Sequence, residues 1–187
     1  MKGRRGRGLG ARAEARSSEL PPPAFVTDAG IAVRAATHAD LDVVVELRIA
    51  LLREHAANPI YGRLRPDAPD RARALFGAQL SSPHETTFLA FDGARAVGVL
   101  RCVHSGGSPL LYPAEYCYVS SVYVRPDVRR RGVLRALMRA AEEWSEDRDL
   151  DEIRLHSASD TALSNAAWSG LGFEIVEHLR VRPTRPR

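Results

Sequence analysis

Between Glu115 and Trp144 the chain passes from strand through a short arginine-rich turn to a helix that begins at a glycine, and this stretch constrains the rest most. Glu115–Val124 is rich in tyrosine and valine, residues that suit a pleated, half-buried surface. Arg125–Arg131 then holds a proline and four arginines, and after Gly132 the residues Val133, Leu134, Leu137, Met138, Ala141 and Trp144 repeat at helical spacing. The first N–H groups of such a helix have no intrahelical partner. Together with the helix dipole they attract anions, and the arginines at 129, 130, 131 and 135 add full charges around them. Gly132 lets a ligand approach the backbone closely. A pyrophosphate suits this turn; on spacing alone, a basic helix start on a solvated surface remains an open alternative.

The flanking segments predict an α/β chain. Ile31–Ala35 alternates as a half-buried strand, and Thr37, with Asp40 three residues on, reads as a helix cap. Leu41, Val44, Leu47, Leu51 and Leu52 follow as an apolar stripe that fades before Pro59, and Asp67–Leu80 reads as a second amphipathic helix. Thr86–Phe91 and Ala96–Val103 form a hairpin across Asp92-Gly93, and Ser105–Pro113 is a Gly/Ser/Pro loop of the kind that carries specificity. Past the long helix come a strand at Ile153–Ser157, a short helix at Ala162–Ser169 and a final strand at Phe173–Val181. Residues 28–187 read as one domain.

Composition narrows the chemistry. One lysine, Lys2, stands among 27 basic residues, which excludes Schiff-base and Walker-A sites that need a lysine in the pocket. Residues 1–27 hold six basic and two acidic side chains and read as a disordered basic tail, leaving twenty-one of each sign in the body. Gly6–Ala11 fits a dinucleotide fingerprint formally, but no strand precedes it. No run approaches eighteen apolar residues and the opening is not a secretory signal, so no membrane partner and a cytoplasmic location are expected. Cys102 and Cys117 read as core residues, and the six histidines form no ligand-spaced cluster, so no metal is expected. Abundant alanine and arginine match a GC-rich, bacterial-like coding sequence.

The segment around Gly132 resembles the acetyl-CoA signature of the GCN5-related N-acetyltransferase (GNAT) family, read here as Arg129-x-x-Gly132-x-Leu134 with leucine in place of the usual Gly or Ala. Trp168-Ser169-Gly170-Leu171-Gly172-Phe173 resembles the family's Tyr-x-x-Leu-Gly-Phe element, and the resemblance covers about residues 31–182. It implies a central mixed, mostly antiparallel sheet flanked by helices, with a V-shaped splay between the fourth and fifth strands of the body (Glu115–Val124 and Ile153–Ser157). It further implies that backbone groups of Val122, Tyr123 and Val124 pair with the pantetheine arm of acetyl-CoA. The amides of Arg130, Arg131, Gly132, Val133, Leu134 and Arg135 would hold the pyrophosphate, and Thr161 and Trp168 would lie along the arm.

Acetyl transfer from a thioester to an amine needs an unprotonated amine, a donor for the developing oxyanion and a proton for the leaving thiolate. The resemblance implies an amide near Val122 as the oxyanion donor. Trp168 stands where many relatives place an acidic tyrosine, and indole cannot replace a phenol as an acid. His156 falls at a base position of the family and is the leading candidate for that role; Glu115 is a second, acting through water. Tyr118 is the expected thiolate donor or acceptor contact, sharing a strand face with Ser120 and Val122, while Glu115 and Cys117 fall on the other face unless a bulge intervenes. His104, Tyr61 and the Ser105–Pro113 loop are candidate acceptor contacts, Trp144 reads as core, and Asp160 as a helix cap or an amine contact. The expected function is acetyl-CoA-dependent N-acetyl transfer to an amine of a small molecule or peptide, by direct transfer in a ternary complex. Two alternatives stand beside it: a catalytically degenerate acetyl-CoA binder, and a nucleic-acid-binding module using the basic tail, which lacks an aromatic platform or helix-turn-helix pattern. Oligomeric state is open, a homodimer included.

Overall fold

The computed structural model describes residues 25–158 and 161–184. Strands β1 (Phe25–Val26) and β2 (Ile31–Ala35) lead into a 3-10 turn at His38–Asp40, then α1 (Leu41–Glu54) and α2 (Ala68–Gln79). Strands β3 (Glu85–Asp92), β4 (Arg95–Gly106) and β5 (Glu115–Val124) follow, then α3 (Val133–Glu146), β6 (Ile153–Leu155) and α4 (Ala162–Ser169). The six strands lie in chain order in one sheet, antiparallel except for the parallel pair β5 and β6 that α3 connects. No helix among the described residues is long and apolar enough to cross a membrane.

Each face of the sheet is covered by helices. Against one lies α3, whose Val133, Leu137, Met138, Ala141 and Trp144 meet Ile31, Val33, Leu100, Cys102, Cys117 and Val119. Against the other lie α1 and α2, through Val44, Leu47 and Phe76 on Leu89, Val99 and Tyr123. Burying a Leu or Met fully is worth about 1.5–3 kcal/mol, so these two layers hold the sheet rigid under the site. Gly98 lets the start of α3 approach β4 closely: a Cβ there would stand 3.0 Å from Leu137 Cδ1 and 3.1 Å from Val133 Cγ1. The position of the α3 N-terminus is therefore set by core packing.

The entry to α1 is fixed by a buried ion pair. Arg34 and Asp40 are each 7% exposed. The guanidinium donates to both carboxylate oxygens at 2.7 and 2.8 Å, and Oδ2 also accepts from the Thr37 N–H and hydroxyl. The cap expected from Thr37 and Asp40 is thus present, but it closes a 3-10 turn ahead of the helix and is locked by an arginine from β2.

Several boundaries differ from the sequence reading, among them β4, which runs on through Gly106 into the expected loop, and β6, which ends at Leu155 and not at Ser157. Phe25 and Val26 pair with Val33 and Ala32, so residues within the expected tail carry a short strand; residues 1–24 lie outside the described region. The hairpin loop is Gly93-Ala94, one residue later than expected, with Gly93 at φ 59° in the left-handed region that such loops require. Phe173–Val181 forms no strand, and Ile175, Val176 and Leu179 are 70, 91 and 73% exposed. Alternation reports side-chain preference, whereas a strand also needs a partner edge, and β6 is only three residues long.

Removing the Asp40 carboxylate strands a buried guanidinium, so Asp40→Ala should lower unfolding free energy by about 3–5 kcal/mol in denaturant titrations. The hydrogen bond from Arg34 is the main reason that the Asp40 carboxyl sits below its ordinary range. Its folded value is depressed, so its stabilisation is full above the unfolded carboxyl range and fades as pH falls through the folded value. Asp40→Asn should accordingly flatten the acid limb of the stability profile.

Candidate active site

The site begins with an irregularity in β5. Pairing with β4 runs Arg101↔Ser120 and then Val99↔Tyr123, so Ser121 and Val122 together face the single residue Leu100. Ser121 takes up this bulge with φ 56°. One inserted residue inverts the strand's alternation. Cys117 and Val119 point to the α3 side, yet beyond the bulge it is Val122 and Val124 that pack there, while Tyr123 turns to the α1 side. The expectation that Tyr118 shares a face with Val122 is corrected accordingly. Pairing of β5 with β6 stops at Val119↔Leu155, so the bulged end of β5 has no β6 partner.

Along that end runs a groove of about 420 Å³. Its floor is Val122, Tyr123 and Val124; one wall is the start of α3 from Gly132 to Arg135, and the other is α4 with Thr161 and Trp168. Gly132 is the N-cap of α3 at φ 82°, and Arg130, two residues earlier, is also left-handed at φ 64°. The first helical bond is from Ala136 N–H to Gly132 O, so the amides of residues 133–135 precede the ladder, and no acidic residue occupies the first turn. These features fit a bound pyrophosphate.

The arginines around this turn divide into two sets. Arg125 pairs with Glu46 at 2.6 Å, Arg129 pairs with Glu54 at 2.6 Å, and Arg131 pairs with Asp92 at 2.8 Å. Arg129 Nε also donates to Val124 O, and Arg125 Nε to Ala96 O. These three pin the turn to α1, β3 and β4. Arg130 and Arg135 are exposed, line the groove and make no ion pair among the described residues.

A smaller cavity of about 170 Å³ adjoins the groove, and Leu51, His55, Val122, Ser164 and Trp168 line both. Here the structure joins two residues separated by 38 positions: Tyr118 Oη lies 3.0 Å from His156 Nδ1, with the rings edge to face at 5.5 Å. Burial raises the Tyr118 phenol above its ordinary range, so it keeps its proton at neutral pH. Trp168 packs edge-on against Phe173 at 5.5 Å, which holds the indole in the shared wall.

The other candidates separate. Glu115 is exposed at the far end of β5, pairs in register with Gly106 and approaches His104 Nε2 at 3.3 Å. It is not part of either cavity. Tyr61 lines the smaller cavity, whereas His104 and the Ser105–Pro113 loop do not. Trp144 is core, with Arg148 stacked 4.1 Å from its ring. Cys102 and Cys117 are both fully buried, which closes them to substrate. Asp160 lies outside the described residues. No group of three or more His, Cys, Asp or Glu able to hold a metal occurs among the described residues. Arg48 and His55 were not anticipated; both line the smaller cavity. Their signal was present, because Val44, Arg48, Leu51 and His55 share one helix face, which puts an arginine inside an apolar stripe.

The acetyltransferase (GNAT) family model matches residues 50–173. The aminoglycoside N(6')-acetyltransferase type 1 of Klebsiella aerogenes is 39% identical over 110 residues, which is 50% of this chain and 70% of that protein. A predicted acetyltransferase with acetyl-CoA from Clostridium acetobutylicum shares the fold at TM-score 0.68 and 17% identity, over 81% of this chain and 96% of that one. A GCN5-related N-acetyltransferase from Ralstonia eutropha JMP134 does so at TM-score 0.67 and 21% identity, over 83% of this chain and all of the other. The family match runs through the elements that build both cavities, and the chain belongs to the acetyltransferase (GNAT) family.

Proposed function

We propose that this acetyl-CoA-dependent N-acetyltransferase passes the acetyl group directly, within a ternary complex, to a primary amine of a small molecule or peptide. The observation that carries this reading is the Tyr118–His156 pair, held at 3.0 Å in a cavity that shares a wall with the groove along β5, α3 and α4. Acetyl-CoA supplies an activated acyl group when bound; the remaining work falls to side chains and amides of this chain.

The amides at the α3 N-terminus, with Arg130 and Arg135, would hold the pyrophosphate, and the bulged edge Val122–Val124 would take the pantetheine arm as an added strand. The V-shaped splay supplies the room, which is supported by the end of β5–β6 pairing at Val119↔Leu155. The Val122 N–H, at the bulge where the β4–β5 register shifts, would donate to the developing oxyanion.

Protons balance through the pair. With Nδ1–H of His156 donating to the Tyr118 oxygen, Nε2 is free to take a proton from the acceptor amine and the phenol O–H is free to protonate the leaving thiolate. The Nδ1 proton then restores the phenol. The exposed imidazole is left with its proton on Nε2 and regains the starting tautomer by exchange with solvent, so the net result is one proton moved from amine to thiol, with no covalent enzyme species. Trp168 shapes the cavity, and Glu115 is too displaced to share this work.

Thiol release from acetyl-CoA across an amine panel, aminoglycosides included, tests the reading. Tyr118→Phe and His156→Ala should each lower kcat roughly 10²-fold, with little change in the KM for acetyl-CoA. Losses of only a few-fold in both would remove the pair from the chemistry, and acetyl-CoA binding without turnover of any amine would identify a degenerate binder. In the groove, Arg130→Ala with Arg135→Ala should raise the KM for acetyl-CoA about tenfold and weaken its salt dependence, because each removes a charge-assisted contact to phosphate. Arg131→Ala should raise that KM less than the double variant does, since its side chain is committed to Asp92 and acts only by holding the turn.

A further inference from the structure

The smaller cavity is lined on its α1 side by Arg48, a partly buried side chain for which no ion pair or hydrogen bond to a carboxylate exists among the described residues. Its electrostatic neighbours are the phenols of Tyr61 and Tyr118 and the like-charged Arg101, and burial presses its guanidinium below the ordinary value. Nearby arginines are handled differently. Arg101 is paired with Glu85, Arg125 with Glu46, Arg129 with Glu54 and Arg131 with Asp92. Arg130 and Arg135 also lack ion-pair partners among the described residues, but both are exposed, where water satisfies them. A guanidinium withdrawn from water is normally paired, because its desolvation otherwise goes uncompensated.

The described residues of the wall add no negative charge to offset it. No Asp or Glu occurs among the described residues that line this cavity, whereas Arg48, His55 and His156 do. Among these described residues a polycationic acceptor would find no carboxylate and a fixed positive charge instead. The cavity is also small: about 170 Å³, against the roughly 300–1,000 Å³ usual for drug-sized ligands. Leu51, Leu52 and Trp168 give it an apolar side.

We infer that the acceptor of this enzyme is a small primary amine that also carries a carboxylate, with Arg48 as the residue that binds the carboxylate and so determines specificity. Arg48 lines the smaller cavity but not the groove, which separates its role from that of Arg130 and Arg135. A carboxylate entering the cavity would supply the missing counter-ion through a charge-assisted, two-pronged contact of the kind guanidinium forms. The amine would then be presented to the Tyr118–His156 pair. The inference rests on the proposed transferase reading for the identity of the site, and it narrows the acceptor class away from the aminoglycosides named for the Klebsiella relative.

The test separates the two. Equilibrium binding is measured calorimetrically on the full chain saturated with CoA, using phenylalanine, β-alanine and 6-aminohexanoate, each against its amide, together with an aminoglycoside. At least one acid should bind ten times more tightly than its amide and than the aminoglycoside, and Arg48→Met should erase that preference while Arg48→Lys retains part of it. Thermal midpoints of both variants, and their affinity for CoA, should match the parent. The inference is overturned if no acid outbinds its amide, if the aminoglycoside binds as well as the acids, if the preference survives in Arg48→Met, or if that variant loses CoA instead. Thiol release on the same panel reports separately on catalysis. An acid preference without turnover of any amine would sink the transferase reading and leave the charge selectivity of the cavity standing. Turnover confined to the aminoglycoside would do the reverse.

Discussion

A single extra residue in β5 organises the site. Without the bulge at Ser121–Val122 the strand would keep Val119 and Tyr123 on one face, and its edge would stay in register with β4 to the end. With it, Tyr123 anchors to α1 while Val122 and Val124 anchor to α3, so the strand is held from both layers at the point where its pairing with β6 has ceased. The groove opens along that released stretch. Tyr118, on the regular side of the bulge, faces the smaller cavity, and Val122 lies in the wall shared by both. The two cavities therefore meet at a backbone irregularity, where the strand's register with β4 shifts by one residue.

The arginine turn acts on the same geometry through charge. Clustered guanidinium groups repel, and four of them beside a helix N-terminus would add to its positive end. Three of the five arginines in this neighbourhood are offset by carboxylates from other elements: Glu46 and Glu54 of α1 and Asp92 of β3. Their contribution is mechanical, tying the turn to the helix and strand beside it. Arg130 and Arg135 stay exposed beside the groove with no ion pair among the described residues, so a segment that looks uniformly basic in one dimension splits into struts and uncommitted charges. Gly98 completes the arrangement by letting α3 sit close against β4.

Much of this was legible along the chain because it depends on local patterns. The α3 stripe, the glycine at its start, the hairpin, the Thr37–Asp40 cap and the pair of candidates Tyr118 and His156 could all be read from spacing or from resemblance. The misreadings share a different origin. Phe173–Val181 has the alternation of a strand but no edge to join, and Glu115 has suitable chemistry but lies at the wrong end of β5. Phe25–Val26 is too short to register as a pattern and exists only through its pairing with β2. Arg48 was overlooked because a single charge within an apolar stripe reads as an exposed edge residue until the neighbouring walls are known.

Covalent sequence and short-range periodicity were enough to specify most of the elements, the glycine-led start of α3 and the exclusion of lysine-dependent chemistry, since each follows from residues within a few turns of one another. Which arginines are spent on ion pairs, where the β5 alternation inverts, and that Tyr118 lies 3.0 Å from His156 depend on contacts between positions tens of residues apart. Those contacts are set by packing of two helical layers on one sheet, a long-range constraint that no local pattern encodes.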